Sequence, residues 1–336
     1  MREALFYERE GKGRVRCGLC RFRCLIAEGE RGNCAVRENR GGTLYSLVYG
    51  RLCAEQVDSI EKKPLFHVMP GSTSYSIATV GCNFHCRHCQ NYTISQIERD
   101  APIGGEEQTP QEIVERARYN NCRSISFTYT EPTIFFEFAY DIARLSHEAG
   151  LKNIFVTNGY ISREALAMIA PYLDAANIDL KSYSEGFYRD IVHARLSEVL
   201  DSIIEYRKQG IWIELTTLII PGLNDSDTQL QGIASFIVAN LGVDTPWHVT
   251  QFYPTYKMTD YPRTPVNTLR KARSIGRAAG LHYVYEGNVP GGGGENTWCP
   301  SCSTLLIERS GFAIVTNRLR DGACPACDTA IAGIGM

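Results

Sequence analysis

No stretch of these 336 residues approaches the roughly 18 apolar residues in a row that a membrane-crossing helix needs, so no membrane association is expected. The opening Met1-Arg2-Glu3 lacks the apolar core of a secretion signal, which points to a cytoplasmic protein. Net charge is only −2, which gives no ground for a general nucleic-acid binder. The first 52 residues lean basic, with eleven Lys or Arg against six Asp or Glu, but the signs interleave as on a solvated face. No Gly-rich dinucleotide turn follows the first strand of the α/β region, which weighs against a doubly wound nucleotide-binding sheet. Cysteine, by contrast, is plentiful: there are thirteen, and eleven fall into three tight groups. Cys53 and Cys122 stand alone and read as small buried hydrophobes. In a reducing compartment such grouping points to metal sites before disulfides.

The central group is Cys82-x3-Cys86-x2-Cys89, on one short loop. Three thiolates so spaced can hold three irons of a [4Fe–4S] cluster and leave the fourth iron open. Clusters built only for electron transfer usually have four Cys ligands. A structural zinc site is the competing reading of the spacing alone. The N-terminal group, Cys17-x2-Cys20-x3-Cys24-x9-Cys34, lies in an Arg- and Gly-rich segment of little periodicity. It suits a small metal-organised module holding either zinc or a second iron–sulfur cluster, since both accept four thiolates. The last group, Cys299-x2-Cys302 and Cys324-x2-Cys327, frames a hairpin-sized stretch, Thr304–Arg318. Two such knuckles are the pattern of a zinc ribbon, with zinc expected ahead of iron.

Between these groups strands and helices alternate. Strands are expected at Thr73–Val80, Ser124–Thr128, Lys152–Thr157, Ala175–Leu180, Trp212–Ile220, Trp247–Phe252 and His282–Tyr285. Helices are expected at Gln111–Tyr119, Ile134–Ala149, Arg163–Ala170, Leu196–Gln209, Thr228–Asn240 and Asn267–Ala279. This order predicts an α/β protein with a parallel sheet, and its strand count fits an incomplete (β/α) barrel with its site at the C-terminal strand ends. Three segments follow: a Cys-rich module over 1–72, the partial barrel over 73–290, and a zinc-ribbon-like module over 291–336. The run Pro290-Gly291-Gly292-Gly293-Gly294 reads as a flexible break.

Polar residues gather where the strands should end: Thr130 and Glu131 before Pro132, Thr157 and Asn158 before Gly159, Asp179 and Lys181 at period two, and His248. Each has a plain alternative. Glu131 can be a helix start, Asp179 and Lys181 a buried ion pair, and His248 a satisfied core histidine.

Together with the cluster loop and its Gln90-Asn91 tail, these motifs resemble the radical S-adenosylmethionine (SAM) enzymes related to pyruvate formate-lyase activating enzyme. More closely, the chain resembles the radical SAM member of the AmmeMemoRadiSam system. That likeness extends over Arg31-Gly32-Asn33-Cys34, Arg37-Glu38-Asn39, Ile60-Glu61-Lys62-Lys63-Pro64-Leu65, Tyr129-Thr130-Glu131-Pro132-Thr133 and Ile220-Pro221-Gly222-Leu223-Asn224-Asp225. The resemblance implies that Cys82, Cys86 and Cys89 carry the catalytic [4Fe–4S] cluster and that its open iron takes SAM. It also implies that Thr130 and Glu131 hold the SAM amino group and that Thr157 and Asn158 lie beside the ribose. Asp179 and Lys181 would lie near the methionine moiety, and His248 near the adenosine. Val156 and His88 depart from the family pattern, which has an acid and a larger aromatic there. The implied partners are a flavodoxin- or ferredoxin-type one-electron reductant and Memo-type and AMMECR1-type proteins. The implied reaction is reductive SAM cleavage to a 5′-deoxyadenosyl radical that takes hydrogen from a protein or small molecule. Two alternatives remain: an activating enzyme for a glycyl radical enzyme, and a binding module whose cysteines are only structural.

Overall fold

The computed structural model describes residues 1–289 and 291–336; Pro290, which opens the glycine run and ends the central segment of the sequence reading, lies outside them. The chain forms two compact units, and they divide it differently from the three sequence segments. One unit comprises Met1–Asp58, Thr73–Ala176 and Ser197–Ile211, and the other Ser59–Ser72, Asn177–Leu196 and Trp212–Met336.

In the first unit, the strands Thr73–Ala78, Ser124–Phe127 and Lys152–Thr157 pair in parallel, with Ser124 opposite both Ser74 and Lys152. All four residues of Ser124–Phe127 are buried, as in a parallel sheet covered on both faces. The crossover helix Pro110–Tyr119 starts on a reciprocal cap: Thr109 accepts from the Glu112 N–H, and the Glu112 carboxylate accepts from the Thr109 N–H. A 3-10 turn, Pro132–Phe135, precedes the helix Phe136–Glu148. The expected helix start at Ile134 falls inside that turn, because Glu131 caps at Thr133 first.

The Cys-rich N-terminus builds two small antiparallel sheets from strands of two to four residues. Tyr7–Glu10, Arg14–Cys17 and Leu25–Ile26 form one, and Arg2–Glu3, Thr43–Ser46 and Arg37–Arg40 the other. A fully buried ion pair fastens this region to the helix Phe136–Glu148. Arg37 donates from both terminal nitrogens to the two Glu137 oxygens at 3.0 Å, and also to the Leu5 carbonyl at 2.7 Å.

In the second unit, Trp212–Ile219, Trp247–Gln251 and Val284–Gly287 pair in parallel. The helix Val266–Ala278 approaches them so closely at Gly276 that a Cβ there would stand 2.8 Å from Val284 Cγ2. The C-terminal strands Thr297–Trp298, Leu305–Ser310 and Ala313–Asn317 form an antiparallel three-stranded sheet, which includes the expected hairpin. Among the described residues, no helix is long and apolar enough to cross a membrane.

Candidate functional site

The first unit gathers its candidate residues just past the C-terminal ends of its parallel strands. The strand Thr73–Ala78 runs into the loop carrying Cys82, Cys86 and Cys89. Gly81 allows the loop to turn, with φ +94°. A Cβ there would meet Val36 Cγ1 at 2.7 Å and the Cys34 carbonyl oxygen at 2.8 Å. The Phe84 N–H and the Asn158 side-chain amide donate to Cys82 Sγ at 3.4 and 3.5 Å. Ser95 Oγ lies 3.1 Å from Cys89 Sγ. His85 locks the loop from outside, with Nδ1 at 3.0 Å from Gln96 Oε1 and Nε2 at 3.2 Å from the Asn33 carbonyl. Phe84 packs into this frame against Phe22 and Tyr160.

Burial pushes the Cys82 thiol well above its ordinary range, and the Glu131 charge adds to the shift. Among the described residues, only Cys299, Cys302, Cys324 and Cys327 bring three or more ligand atoms within 4.8 Å of one another. The sulfurs of Cys82, Cys86 and Cys89 are not all within that distance of one another, which suits thiolates on different irons better than on one ion. These residues fit a three-Cys [4Fe–4S] cluster.

Glu131 is fully buried and accepts four hydrogen bonds. Its Oε1 takes the Thr133 N–H, the Thr133 hydroxyl and the Thr157 hydroxyl, and its Oε2 takes the Asn158 N–H at 2.7 Å. Burial pushes its pKa up, and these donors pull against that. Glu131, Thr157 and Asn158 thus form one connected group, and Asn158 links it to Cys82. Thr130 ties the same turn to the preceding strand by donating to the Thr79 carbonyl at 2.8 Å. With a carboxylate offering about four acceptor sites in all, Glu131 is largely committed to the chain itself. Its geometry is that of a positioning residue for the Thr157–Asn158 turn.

The second unit holds Asp179, Lys181 and His248. Lys181 Nζ lies 2.7 Å from Asp179 Oδ2, at the end of the strand Ala175–Asp179. The Asn224 side chain secures that end by donating to the Lys181 carbonyl at 2.7 Å, and it accepts from the Ile220 N–H at 2.6 Å. This explains the Ile220–Asp225 motif as a turn that braces the lysine's backbone.

His248 stands apart as the second residue of its strand, near the opposite end. Its Nε2 lies 2.7 Å from Glu214 Oε2, and its ring stacks on Tyr285 with Phe66 edge-on. Glu214 also accepts from the Phe66 and His67 N–H groups at 3.0 and 2.8 Å. Burial raises the Glu214 carboxyl, but the His248 hydrogen bond and charge outweigh it and hold the group below its usual range. His67 extends the network to the Tyr285 hydroxyl at 2.7 Å, and Tyr285 to Thr297 Oγ1 at 2.8 Å. Arg309 closes it, donating to Thr297 Oγ1 and to the Phe66 carbonyl. Sequence reasoning missed Glu214, His67 and Arg309, whose only signal is a charged or polar residue within an apolar context.

At the C-terminus, Cys299 and Cys327 approach to 3.6 Å, as do Cys302 and Cys324. Zn–S bonds of about 2.3 Å in a tetrahedron imply S···S edges of about 3.8 Å, so this group fits one tetrahedral ion. Thr304 and Thr329 hydroxyls lie 3.2 Å from the two exposed sulfurs, Cys302 and Cys327. The Thr304 hydrogen bonds bring the Cys302 thiol down to about 6, close to the thiolate form a metal requires.

A model of the Radical SAM superfamily matches residues 76–230. Over 329 residues the chain is 48% identical to an uncharacterized protein of Methanocaldococcus jannaschii, covering 97% of this chain and 98% of that one. Over 131 residues it is 28% identical to the 4-hydroxyphenylacetate decarboxylase activating enzyme of Clostridioides difficile, covering 36% and 40% of the two chains. Among solved structures, a radical SAM methyltransferase from Sphaerobacter thermophilus is similar in fold, with a TM-score of 0.51 and 17% identity over 66% of this chain and 68% of that one.

Proposed function

The chain belongs to the radical SAM superfamily, and from that premise we propose that Cys82, Cys86 and Cys89 hold a [4Fe–4S] cluster whose open iron binds SAM. When bound, the cluster and SAM together supply a 5′-deoxyadenosyl radical by one-electron cleavage, the electron coming from a flavodoxin- or ferredoxin-type reductant. The chain's own residues bind and orient. Glu131 fixes the Thr157–Asn158 turn, Asn158 steadies Cys82, and Thr130 holds the start of the same turn to its strand. Asp179 and Lys181 are assigned to the SAM methionine moiety, with Asn224 bracing the lysine's backbone. His248 was expected at the adenosine; its bond to Glu214 and its stacked ring favour a core role instead. The parallel strands are read as the superfamily's incomplete (β/α) barrel. The 3.6 Å sulfur pairs support zinc at Cys299, Cys302, Cys324 and Cys327, in a ribbon-like module.

The observation that carries this reading is the Glu131–Asn158–Cys82 connection, which ties the residues after three parallel strands to one cluster thiol. We assign the substrate to the AmmeMemoRadiSam system in the cytoplasm, with Memo-type and AMMECR1-type proteins as partners, on the motif likeness along the whole chain. A second reading, removal of a glycine hydrogen from a glycyl radical enzyme, draws on the local likeness to the decarboxylase activating enzyme. Anaerobic incubation with SAM, reductant and a deuterated Memo-type protein distinguishes them. Deuterium in the 5′-deoxyadenosine supports the first reading. A glycyl radical formed on a co-expressed glycyl radical enzyme, without such transfer, supports the second.

A further inference from the structure

The four N-terminal thiols differ from the C-terminal four in one measurable respect. At Cys299, Cys302, Cys324 and Cys327 the sulfurs already stand at the spacing of a single tetrahedral ion. No three of Cys17, Cys20, Cys24 and Cys34 bring their sulfurs within 4.8 Å of one another. In this they match the central Cys82, Cys86 and Cys89. Yet the N-terminal four are not scattered, because together they line one small pocket. Four thiols that line one pocket without the spacing of a single tetrahedral ion suit a larger group.

Two further residues of the pocket wall are Arg37 and Asn83, 1% exposed each. Arg37 spends its terminal nitrogens on Glu137 and the Leu5 carbonyl, but its Nε–H has no acceptor. Asn83 has its carbonyl oxygen at 3.4 Å from the Asn158 amide, while its own Nδ2 has no acceptor. A buried donor left unmatched costs roughly 1–3 kcal/mol, and sulfur ligands held in the pocket these two residues line would supply acceptors for both. Metal-bound thiolates accept N–H···S bonds on zinc as on iron, so the donors call for sulfur ligands and the wider sulfur spacing is what favours a cluster over a single ion. A cubane cluster adds inorganic sulfides facing outward between its thiolates, and N–H···S bonds of this kind are what tune such clusters.

We propose that Cys17, Cys20, Cys24 and Cys34 ligate a second [4Fe–4S] cluster, with the Arg37 Nε–H and the Asn83 amide donating to its sulfurs. Four protein thiolates leave it no open iron, so it is an electron-transfer centre and not a second SAM site. It adjoins the central loop directly. Asn33, next to Cys34, donates to the Asn83 carbonyl at 2.8 Å, and the Cys34 carbonyl faces Gly81 with no room for a side chain between them. The inference does not depend on SAM chemistry at the central loop.

Iron, acid-labile sulfide and zinc, quantified on anaerobically reconstituted full-length protein, test it. The expected content is about eight iron, eight sulfide and one zinc per chain, for two cubanes and one tetrahedral site. About four iron and two zinc would overturn the proposal while leaving the central cluster untouched. A Cys82→Ala/Cys86→Ala/Cys89→Ala variant adds an independent arm. It should retain about four iron and the visible absorption of a cubane, and an iron-free but folded variant refutes the second cluster. If instead the iron is retained and wild-type protein fails to cleave SAM, the second cluster stands and the SAM reading falls.

Discussion

Replacing Glu131 by Gln keeps its volume and removes its charge, and the structure specifies what that does. All four donors, the Thr133 N–H and hydroxyl, the Thr157 hydroxyl and the Asn158 N–H, point at the carboxylate. With the new NH2 at the Oε1 position it would face three donors, so the amide is forced to turn its NH2 toward the Asn158 N–H. One charge-assisted bond of about 1.5–3 kcal/mol is lost, and the Asn158 N–H is left buried without an acceptor at a further cost of about 1–3 kcal/mol. A net loss of about 2.5–6 kcal/mol of stability is expected, measured by urea unfolding of metal-loaded protein. Because Asn158 Nδ2 also donates to Cys82 Sγ, the variant's cluster should show a shifted electron paramagnetic resonance spectrum and weaker SAM binding. Glu131→Asp, which keeps the charge on a shorter arm, should recover part of both effects. A Glu131→Gln protein that unfolds within about 0.5 kcal/mol of wild type, the range of an ordinary surface substitution, refutes the assignment of Glu131 as a buried anchor.

His67 is held neutral by burial, with its pKa lowered from 6.5 to about 4, so the unfolded chain takes up that proton first as pH falls. Its contribution is whole above pH 6.5 and declines toward pH 4 by at most about 3 kcal/mol; His67→Gln should flatten the measured pH dependence over that window, and an unchanged slope contradicts it. Arg37→Met leaves Glu137 charged and buried and should cost about 3–5 kcal/mol. Adding Glu137→Leu should restore part of that loss, and a double variant no more stable than Arg37→Met would argue against the pair. Cys302→Ser should release one zinc and lower the unfolding temperature while the central cluster's spectrum persists; equal zinc in variant and wild type would remove the C-terminal site.

The α/β alternation was legible because its strands are short apolar runs bounded by turn residues, and Lys152–Thr157 has the expected limits. Boundaries elsewhere moved by a residue or two, as at Trp212–Ile219 and Val266–Ala278, where a terminal turn residue decides the end. The N-terminal strands were invisible, since elements of two to four residues carry too little periodicity to register. The π-helical turn Tyr188–Val192, closed by His193 in a left-handed conformation, had no sequence signal either. The candidate residues near the cluster loop could be picked out because they cluster after strands. What Glu131 holds could not, because its partners Thr157 and Asn158 lie 26 and 27 residues away. The Arg37–Glu137 pair spans 100 residues, and Glu214 reaches back 147 to His67. Such pairings depend on how the chain folds back on itself, which one sequence does not encode in any local pattern.

The central claim is that Cys82, Cys86 and Cys89 support reductive cleavage of SAM. Its most direct test compares reconstituted wild-type protein with the Cys82→Ala/Cys86→Ala/Cys89→Ala variant under anaerobic conditions, with dithionite as the electron source, and measures 5′-deoxyadenosine by chromatography. Wild-type protein should form 5′-deoxyadenosine and methionine in equal amounts, and the variant should form neither. Equal 5′-deoxyadenosine from the two proteins would contradict the account.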